Sequence, residues 1–212
     1  MSVVRAEISV SLDGFGAGPN QSTEDPLGEG GERLHDWVVA TESWRRQHGQ
    51  EGGTTGPDSE MAGRMHDGVG AFVMGRGMFG GGPGPWGDES WTGWWGDDPP
   101  YHAPVFVLTH HPREPVEMQG GTTFHFVTDG IEAAVGQARA AAGDDDVLVA
   151  GGPSAIDQTL AAGLLDELRL HVVPIVLGDG SRLLDDVGDP KLEPVEVVGT
   201  PAATHVRYRV AR

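Results

Sequence analysis

One continuous stretch, residues 147–184, constrains the fold of this chain more than any other. It opens with Val147–Ala150, an apolar run without polar alternation, which predicts a strand buried on both faces of a sheet. Gly151–Ser154 follows as a tight turn, Ala155–Ala162 has helical composition, and Leu168–Val173 is again strand-like. The stretch therefore predicts a strand, a glycine turn, a helix and a second strand in succession.

The turn at Gly151 and Gly152 allows the backbone to approach a ligand closely, because neither residue carries a Cβ. Pro153 presets the turn, and Ser154 is expected to cap the following helix. The free N–H groups at the start of such a helix attract a phosphate. A single turn of this kind is more often a tight connection than a ligand site, so the interpretation depends on a second phosphate-binding element.

A second element follows the predicted strand Val69–Met74, where the chain continues with Gly75, Arg76, Gly77 and Met78. A short helix is expected here. The glycines again permit close approach, and the guanidinium of Arg76 offers a fork of donors to a phosphate. For this segment alone, the alternative is an ordinary turn with a solvent-exposed arginine. Together, the two glycine elements favour a ligand with two phosphates.

The charge balance narrows the range of partners. The 212 residues include 32 acidic and 14 basic side chains, which gives a net charge of −18. Such a surface repels nucleic acid and anionic membranes, so neither is expected as a partner. A length of 212 residues suits a single domain spanning residues 1–212.

Several other classes of site and location are disfavoured. Cysteine is absent, which excludes disulfides and thiolate metal sites. His110 and His111 are adjacent and point in different directions, with no third ligand at a suitable spacing, so no metal is expected. No signal peptide opens the chain and no apolar run approaches membrane-spanning length, so a soluble cytoplasmic protein is expected.

The rest of the chain predicts alternating strands and helices. Apolar runs predict further strands over Val4–Leu12, Pro104–Leu108 and Thr123–Val127, and a terminal hairpin over Leu192–Val198 and His205–Val210. Helical spacing and capping residues predict helices over Leu34–His48, over Asp58–His66 with Asp58 or Ser59 as N-cap, and over Ile131–Ala142 capped by Asp129.

Three loops are candidates for ligand contacts. Asp13 and Gly14 follow the first strand, where open α/β sheets place their sites, although a plain turn is the alternative. Thr109, His110 and Arg113 follow a strand and suit a phosphate on an adenosine ribose, with a polar turn as the alternative. The loop 81–101 holds four of the six tryptophans, which could wall an active site, form a dimer contact or close a small core beneath the loop.

The order of these motifs resembles that of a known family. The segments are SLDGF at Ser11–Phe15, VMGRGMF at Val73–Phe79, VLTHHP at Val107–Pro112, VLVAGGPSAIDQTL at Val147–Leu160 and HVVPIVLGDGSRLL at His171–Leu184. This arrangement is similar to the dihydrofolate reductase-like superfamily. It is most similar to the reductase domain of riboflavin biosynthesis and its stand-alone bacterial relatives, over nearly the whole chain.

The resemblance implies a three-layer α/β fold. In this fold a central mixed, mostly parallel sheet carries helices on both faces, and an antiparallel hairpin ends the chain. NADPH would bind across the strand ends. By motif, the cofactor phosphates would contact Gly75, Arg76, Gly77 and Met78. The adenosine ribose and its 2′-phosphate would contact Thr109 and His110. The pyrophosphate and the nicotinamide would contact Gly151, Gly152, Pro153, Ser154 and Ala155. The family often has threonine where Met78 stands, so a hydroxyl contact to phosphate is lost here.

The activity that the resemblance implies is hydride transfer from NADPH to a C=N or C=O bond of a small, pterin-like or pyrimidine-like substrate. Dihydrofolate reductases and 5-amino-6-(5-phosphoribosylamino)uracil reductases catalyse such reactions. Asp13 is the candidate for a polar, catalytic contact, with solvent as an equal candidate for the proton source. Asp13 and Gly14 would border the substrate, and Trp86 and Trp91 are candidates for its apolar wall.

Outside the cofactor motifs, few cations could bind a substrate phosphate. This favours a reductase that is neither a dihydrofolate reductase nor a 5-amino-6-(5-phosphoribosylamino)uracil reductase. Such an enzyme would be an NADPH-dependent oxidoreductase acting on a small molecule. The alternative is a non-catalytic dinucleotide-binding or sensor protein on the same fold. Members of the family are commonly dimers, so a homodimer is expected.

Overall fold

A computed structural model describes residues 2–82, 84–87 and 90–211. The strands are β1 (Val4–Ser11), β2 (Phe15–Ala17), β3 (Val69–Gly75), β4 (Pro104–Leu108), β5 (Val116–Glu117), β6 (Thr123–Val127), β7 (Asp146–Gly151), β8 (Glu167–Val173), β9 (Ser181–Arg182), β10 (Lys191–Gly199) and β11 (Thr204–Ala211). The α-helices are α1 (Asp36–Val39), α2 (Glu42–Gln47), α3 (Pro57–Gly63), α4 (Arg76–Phe79), α5 (Ile131–Ala142) and α6 (Pro153–Ala161). Two 3-10 helices span Gly31–His35 and Gln119–Gly121.

Nine of these strands form one mixed sheet in the order β10-β11-β8-β1-β7-β3-β4-β6-β5. The pairs from β8 through β6 are parallel, and antiparallel strands complete both edges. The short strands β2 and β9 pair separately. This arrangement confirms the predicted fold class and the C-terminal hairpin, which is formed by β10 and β11.

The strand β7 lies between β1 and β3, at the centre of the parallel part of the sheet. Val147 and Val149 are fully buried and Leu148 is nearly so. Val147 and Val149 face the side covered by α5 and α6, and Leu148 faces the opposite side. The prediction of a strand buried on both faces is therefore confirmed, because neither face of β7 meets water.

The two faces of β1 differ in chemistry. Val4 and Ala6 join the apolar core under α5 and α6. Arg5, Glu7 and Ser9 point to the other face, where they are also buried. A strand alternates its side chains, so a buried polar row on one face needs polar partners from the layer above it. The layer on this face contains α1 and α3.

The predicted helix over Leu34–His48 is wrong as one element. The segment is divided into the 3-10 helix Gly31–His35, then α1, then α2. Thr41 separates α1 from α2, because it is extended and its side chain accepts a hydrogen bond from the N–H of Trp44. A residue that caps a new helix in this way ends the continuity of the pattern.

Three predicted helix caps are also wrong. The N-cap residues are Gly56, Gly130 and Gly152, and none of them uses a side chain. In α3 and α6 a proline occupies the first helical turn and fixes the start of the helix directly after the glycine. Ser154 therefore lies inside α6, Asp129 precedes the cap of α5, and Asp58 and Ser59 make tertiary contacts instead.

No helix in the described ranges is long and apolar enough to cross a membrane.

Candidate active site

A cleft with a volume of about 1170 Å³ opens where several parallel strands end. Its floor includes Gly75 at the end of β3, Thr109 after β4 and Gly151 at the end of β7. Parallel strands present their carboxyl ends at one edge of the sheet, which is where open α/β sheets bind ligands. The predicted motifs from three separate segments therefore meet on one surface.

The two glycine segments lie side by side on this cleft. Met74 in β3 is in register with Gly151 in β7. A Cβ added to Gly75 would lie 3.6 Å from the Cβ of Ala155, and one added to Gly151 would lie 3.4 Å from the sulfur of Met78. Gly151 also has a φ of 130°, which favours glycine.

Two other glycines leave the backbone open. A Cβ added to Gly77 or to Gly152 would meet no atom within 4 Å, and both residues line the cleft. At the start of α6, the Gly152 carbonyl accepts the N–H groups of Ala155, at 3.0 Å, and Ile156, at 3.4 Å. Pro153 has no N–H, so the N–H of Ser154 is the first-turn donor left for a ligand.

Most of the donors of Arg76 are already engaged. Its Nε donates to the carbonyl of Gly80 at 2.9 Å, and its Nη2 donates to those of Gly81, at 3.2 Å, and Gly82, at 2.8 Å. The guanidinium carbon lies 3.1 Å from the ring centroid of Trp86, while Nη1 is buried without a partner among the described residues. Burial, followed by the charge of Arg113, lowers the pKa of Arg76. Arg76 therefore orders the loop that follows α4.

Thr109 and His110 also line the cleft. Thr109 is buried, and its N–H donates to the Val127 carbonyl at 3.0 Å. Arg113, the third residue predicted with them, is turned elsewhere. Its Nη2 donates to the Trp91 carbonyl at 2.7 Å, and it is not part of the cleft lining.

The carboxylate of Asp13 has structural partners. It accepts the N–H of Leu177 at 3.1 Å and that of Gly178 at 2.7 Å. A hydrogen bond from Ser11, with further ones from these N–H groups, lowers the pKa of Asp13 to about 2. Neither Asp13 nor Gly14 lines the cleft, whereas Gly16 and Ala17 do. The contact of Asp13 with a substrate remains a prediction, and the geometry gives this residue a role in holding the loop.

The tryptophan loop closes a small core. Trp86, Trp91 and Trp95 pack against a buried cluster that includes Phe79 and Phe124. The indole N–H of Trp86 donates to the His111 carbonyl, and that of Trp91 donates to the Phe79 carbonyl, each at 3.0 Å. Of the alternatives for this loop, the structure bears out the small core beneath it.

Trp94 and Trp95 line the cleft, while Trp86 and Trp91 do not. The loop therefore borders the cleft through a different pair of tryptophans from the predicted one. Sequence spacing did not distinguish the four, since the described part of the loop contains no helix or strand that would give them a period.

Two further residues line the cleft: His35, which the sequence did not indicate, and Arg182, which was one of the few cations outside the cofactor motifs. His35 ends the 3-10 helix that precedes α1, and it lines the cleft together with Val38 and Val39. Arg182 in β9 stacks over the ring of Phe15, with its guanidinium carbon 4.6 Å from the ring centroid. Arg182 makes no hydrogen bond or ion pair within the described part of the chain. The sequence signal for Arg182 was its position two residues after a glycine turn.

Within residues 2–82, 84–87 and 90–211, no group of three or more histidine, aspartate or glutamate side chains is placed to hold a metal ion.

The fold and the cleft together define a class. A mixed, mostly parallel sheet with helices on both faces and a cleft at the strand ends is the dihydrofolate reductase-like α/β fold. The chain belongs to the RibD C-terminal domain family, whose family model matches residues 2–206.

Solved structures agree with this fold. A Shewanella sp. PV-4 protein provisionally assigned to riboflavin biosynthesis has a TM-score of 0.64 at 20% identity, with 100% of each chain covered. A pyrimidine reductase-like protein from Corynebacterium diphtheriae has a TM-score of 0.54 at 16% identity, covering 100% of this chain and 92% of the other. A Thermotoga maritima diaminohydroxyphosphoribosylaminopyrimidine deaminase/5-amino-6-(5-phosphoribosylamino)uracil reductase has a TM-score of 0.55 at 16% identity, covering 99% and 57%. No functionally curated protein sequence matches the chain.

Proposed function

We propose that this protein is an NADPH-dependent reductase that transfers hydride to a C=N or C=O bond of a small heterocyclic substrate. The observation that carries the proposal is the juxtaposition of the two glycine segments, through Gly75 and Ala155 and through Met78 and Gly151, on one cleft. The family relationship supports a reductase. The volume of about 1170 Å³ is large enough for a dinucleotide and a small substrate together.

The residues present fit a dinucleotide. Gly77 and Gly152 offer open backbone, and the N–H of Ser154 is free at the start of α6. Of the described residues, the arginines that line the cleft are Arg76 and Arg182. Thr109 and His110 would contact the adenosine ribose and its 2′-phosphate. NADPH, when bound, supplies the hydride, and the protein supplies position, electrostatics and exclusion of water.

The few cations shape the expected affinity. Because Met78 has no hydroxyl and most Arg76 donors bind loop carbonyls, backbone N–H groups carry much of the phosphate binding. An anionic ligand must also approach a chain with a net charge of −18. Binding should therefore strengthen as salt screens the repulsion, until screening also weakens the contacts to Arg76 and Arg182.

The first test is a titration with NADPH and, separately, with NADH, followed by tryptophan fluorescence. Trp94 and Trp95 line the cleft, so a bound nicotinamide cofactor should quench their emission. Tight NADPH and weak NADH would support a contact to the 2′-phosphate. Binding of neither would remove the proposal.

Turnover is tested next, by NADPH oxidation with a panel of pterins, pyrimidines and small ketones. Oxidation with a pyrimidine or a pterin supports the reductase. NADPH binding without oxidation of any panel member contradicts turnover and favours a non-catalytic sensor on the same fold. We also propose a soluble cytoplasmic homodimer, which light scattering coupled to gel filtration checks for the oligomeric state.

A further inference from the structure

His35 occupies an unusual position for a polar side chain. It lines the cleft, and neither of its ring nitrogens has a hydrogen-bond partner among the described residues. Nδ1 is enclosed by the protein, whereas Nε2 remains open. A polar group enclosed in this way usually has a partner, and one without a partner needs an explanation.

Apolar side chains of the same segment line the cleft with His35. Among residues 31–48, all of which are described, the cleft-lining residues are His35, Val38, Val39 and Trp44. His35 is thus the single titratable residue that this segment contributes to the cleft. Burial lowers the pKa of His35, a nearby His171 lowers it further, and Asp36 raises it in part. The imidazole is therefore neutral near pH 7 and can either donate or accept a hydrogen bond at Nε2.

The cleft also offers flat surfaces. Trp94 and Trp95 line it, and neither brings a charge. A flat ring bound against aliphatic side chains and indole rings would bury its faces and present its edge to polar groups. His35 is the polar group proposed here to meet that edge.

We propose that His35 is a specificity-determining residue whose Nε2 hydrogen-bonds the carbonyl or ring N–H edge of the uncharged heterocyclic ring of the substrate. The proposal rests on the reductase function proposed above and deepens it. A neutral imidazole favours an uncharged ring edge, because it offers one hydrogen bond and no charge to balance. A substrate at this position would replace solvent at Nε2, the ring nitrogen that faces open space.

The test compares His35→Phe with His35→Gln and His35→Asn. Phenylalanine keeps a flat ring and removes both nitrogens. The glutamine amide reaches the position of Nε2, whereas the shorter asparagine amide reaches that of Nδ1. His125→Phe is a matched control, since His125 stacks on Phe106 outside the cleft lining.

The probe is 5-amino-6-(5-phosphoribosylamino)uracil, with NADPH consumption as the readout. We expect His35→Phe to raise KM about tenfold, the effect of losing one buried hydrogen bond, with kcat changed much less. His35→Gln should recover most of the loss and His35→Asn should not. The Kd for NADPH should stay within about twofold in all three variants, since the contact is to substrate.

An unchanged KM in folded His35→Phe would overturn the assignment while leaving the reductase proposal intact. Equal losses in His35→Gln and His35→Asn would indicate a structural role and would overturn it as well. If the wild-type protein binds NADPH but turns over neither the probe nor other pyrimidines and pterins, the reductase proposal fails. The proposed contact between His35 and a substrate then fails with it.

Discussion

The Nδ1 atoms of His171 in β8 and His205 in β11 lie 2.7 Å apart in the layer between the sheet and α3. The Nε2 of His171 is 3.1 Å from Oε1 of Glu7, and the Nε2 of His205 is 2.7 Å from Oδ1 of Asp58. Both histidines are nearly inaccessible to water, and Trp37 packs against both rings. Four side chains thus form one buried hydrogen-bonded chain.

These four hydrogen-bonded side chains need one more proton than two neutral histidines provide. Its three hydrogen bonds require three protons, two neutral imidazoles bring two, and ionised carboxylates bring none. Burial is the largest influence on the pKa of His205 and lowers it. The four side chains together therefore carry one negative charge less than two ionised carboxylates would.

The first prediction concerns Asp58. Asp58→Asn should retain most of the stability, because an amide nitrogen in the place of Oδ1 can donate to Nε2 of His205, which supplies the missing proton, and to Oγ1 of Thr200, whose hydroxyl can donate to the Ala203 carbonyl. Asp58→Ala should cost about 1–3 kcal/mol, since it leaves a buried imidazole without a partner. Urea unfolding of both variants measures the difference. Equal losses would contradict the proton count.

The second prediction concerns pH. Burial lowers the pKa of His35 below the unfolded value of about 6.5, so the unfolded chain binds more protons as the solution is acidified. The stability that His35 contributes is complete above about pH 6.5 and declines as the pH falls below it. The free energy of unfolding should be lower near pH 5 than near pH 7.5. His35→Gln should flatten this dependence, and an unaltered slope in that variant would refute the contribution of His35.

The third prediction concerns the cofactor cation. Arg76→Ala should weaken NADPH binding by roughly 1.5–3 kcal/mol, because it removes a charge from the cleft and releases the carbonyls of residues 80–82. Arg209→Ala is the control, since Arg209 pairs with Glu193 on the exposed hairpin. Calorimetric titration of both variants with NADPH measures the change in affinity. An NADPH affinity equal to that of the wild type in Arg76→Ala would exclude the phosphate contact.

The fourth prediction separates the cofactor site from folding. Gly152→Ala adds a Cβ to a backbone with negative φ and open space around it, so stability should change by about 1 kcal/mol or less. The added methyl group should crowd a bound dinucleotide by about 1–3 kcal/mol, which is roughly a fivefold to hundredfold loss of affinity.

Gly136→Ala is its control. It lies within α5, where an added Cβ meets no atom within 4 Å, and should stabilise the helix without affecting NADPH. If Gly152→Ala binds NADPH as the wild type does, the dinucleotide does not lie against this turn.

Local sequence patterns were sufficient to predict the elements that can pack in only one way. The apolar run in β7 has one stable position, inside the sheet, and α5 begins and ends at the predicted residues Ile131 and Ala142. Helix caps were less predictable. A preceding glycine and a proline at the first turn of α3 and α6 outweighed the polar capping candidates, because the backbone geometry was already set.

The sequence by itself determined the class of fold and the segments that reach the cleft. Apolar periodicity and glycine turns are local properties, and their order along the chain is that of one family. The tertiary structure decided which side chains contact one another and which of them line the cleft. His171 and His205 are 34 residues apart, and His205 and Asp58 are 147 apart, so no local pattern joins them. The same reason applies to His35 and to Trp94, whose environment exists once distant segments have packed together.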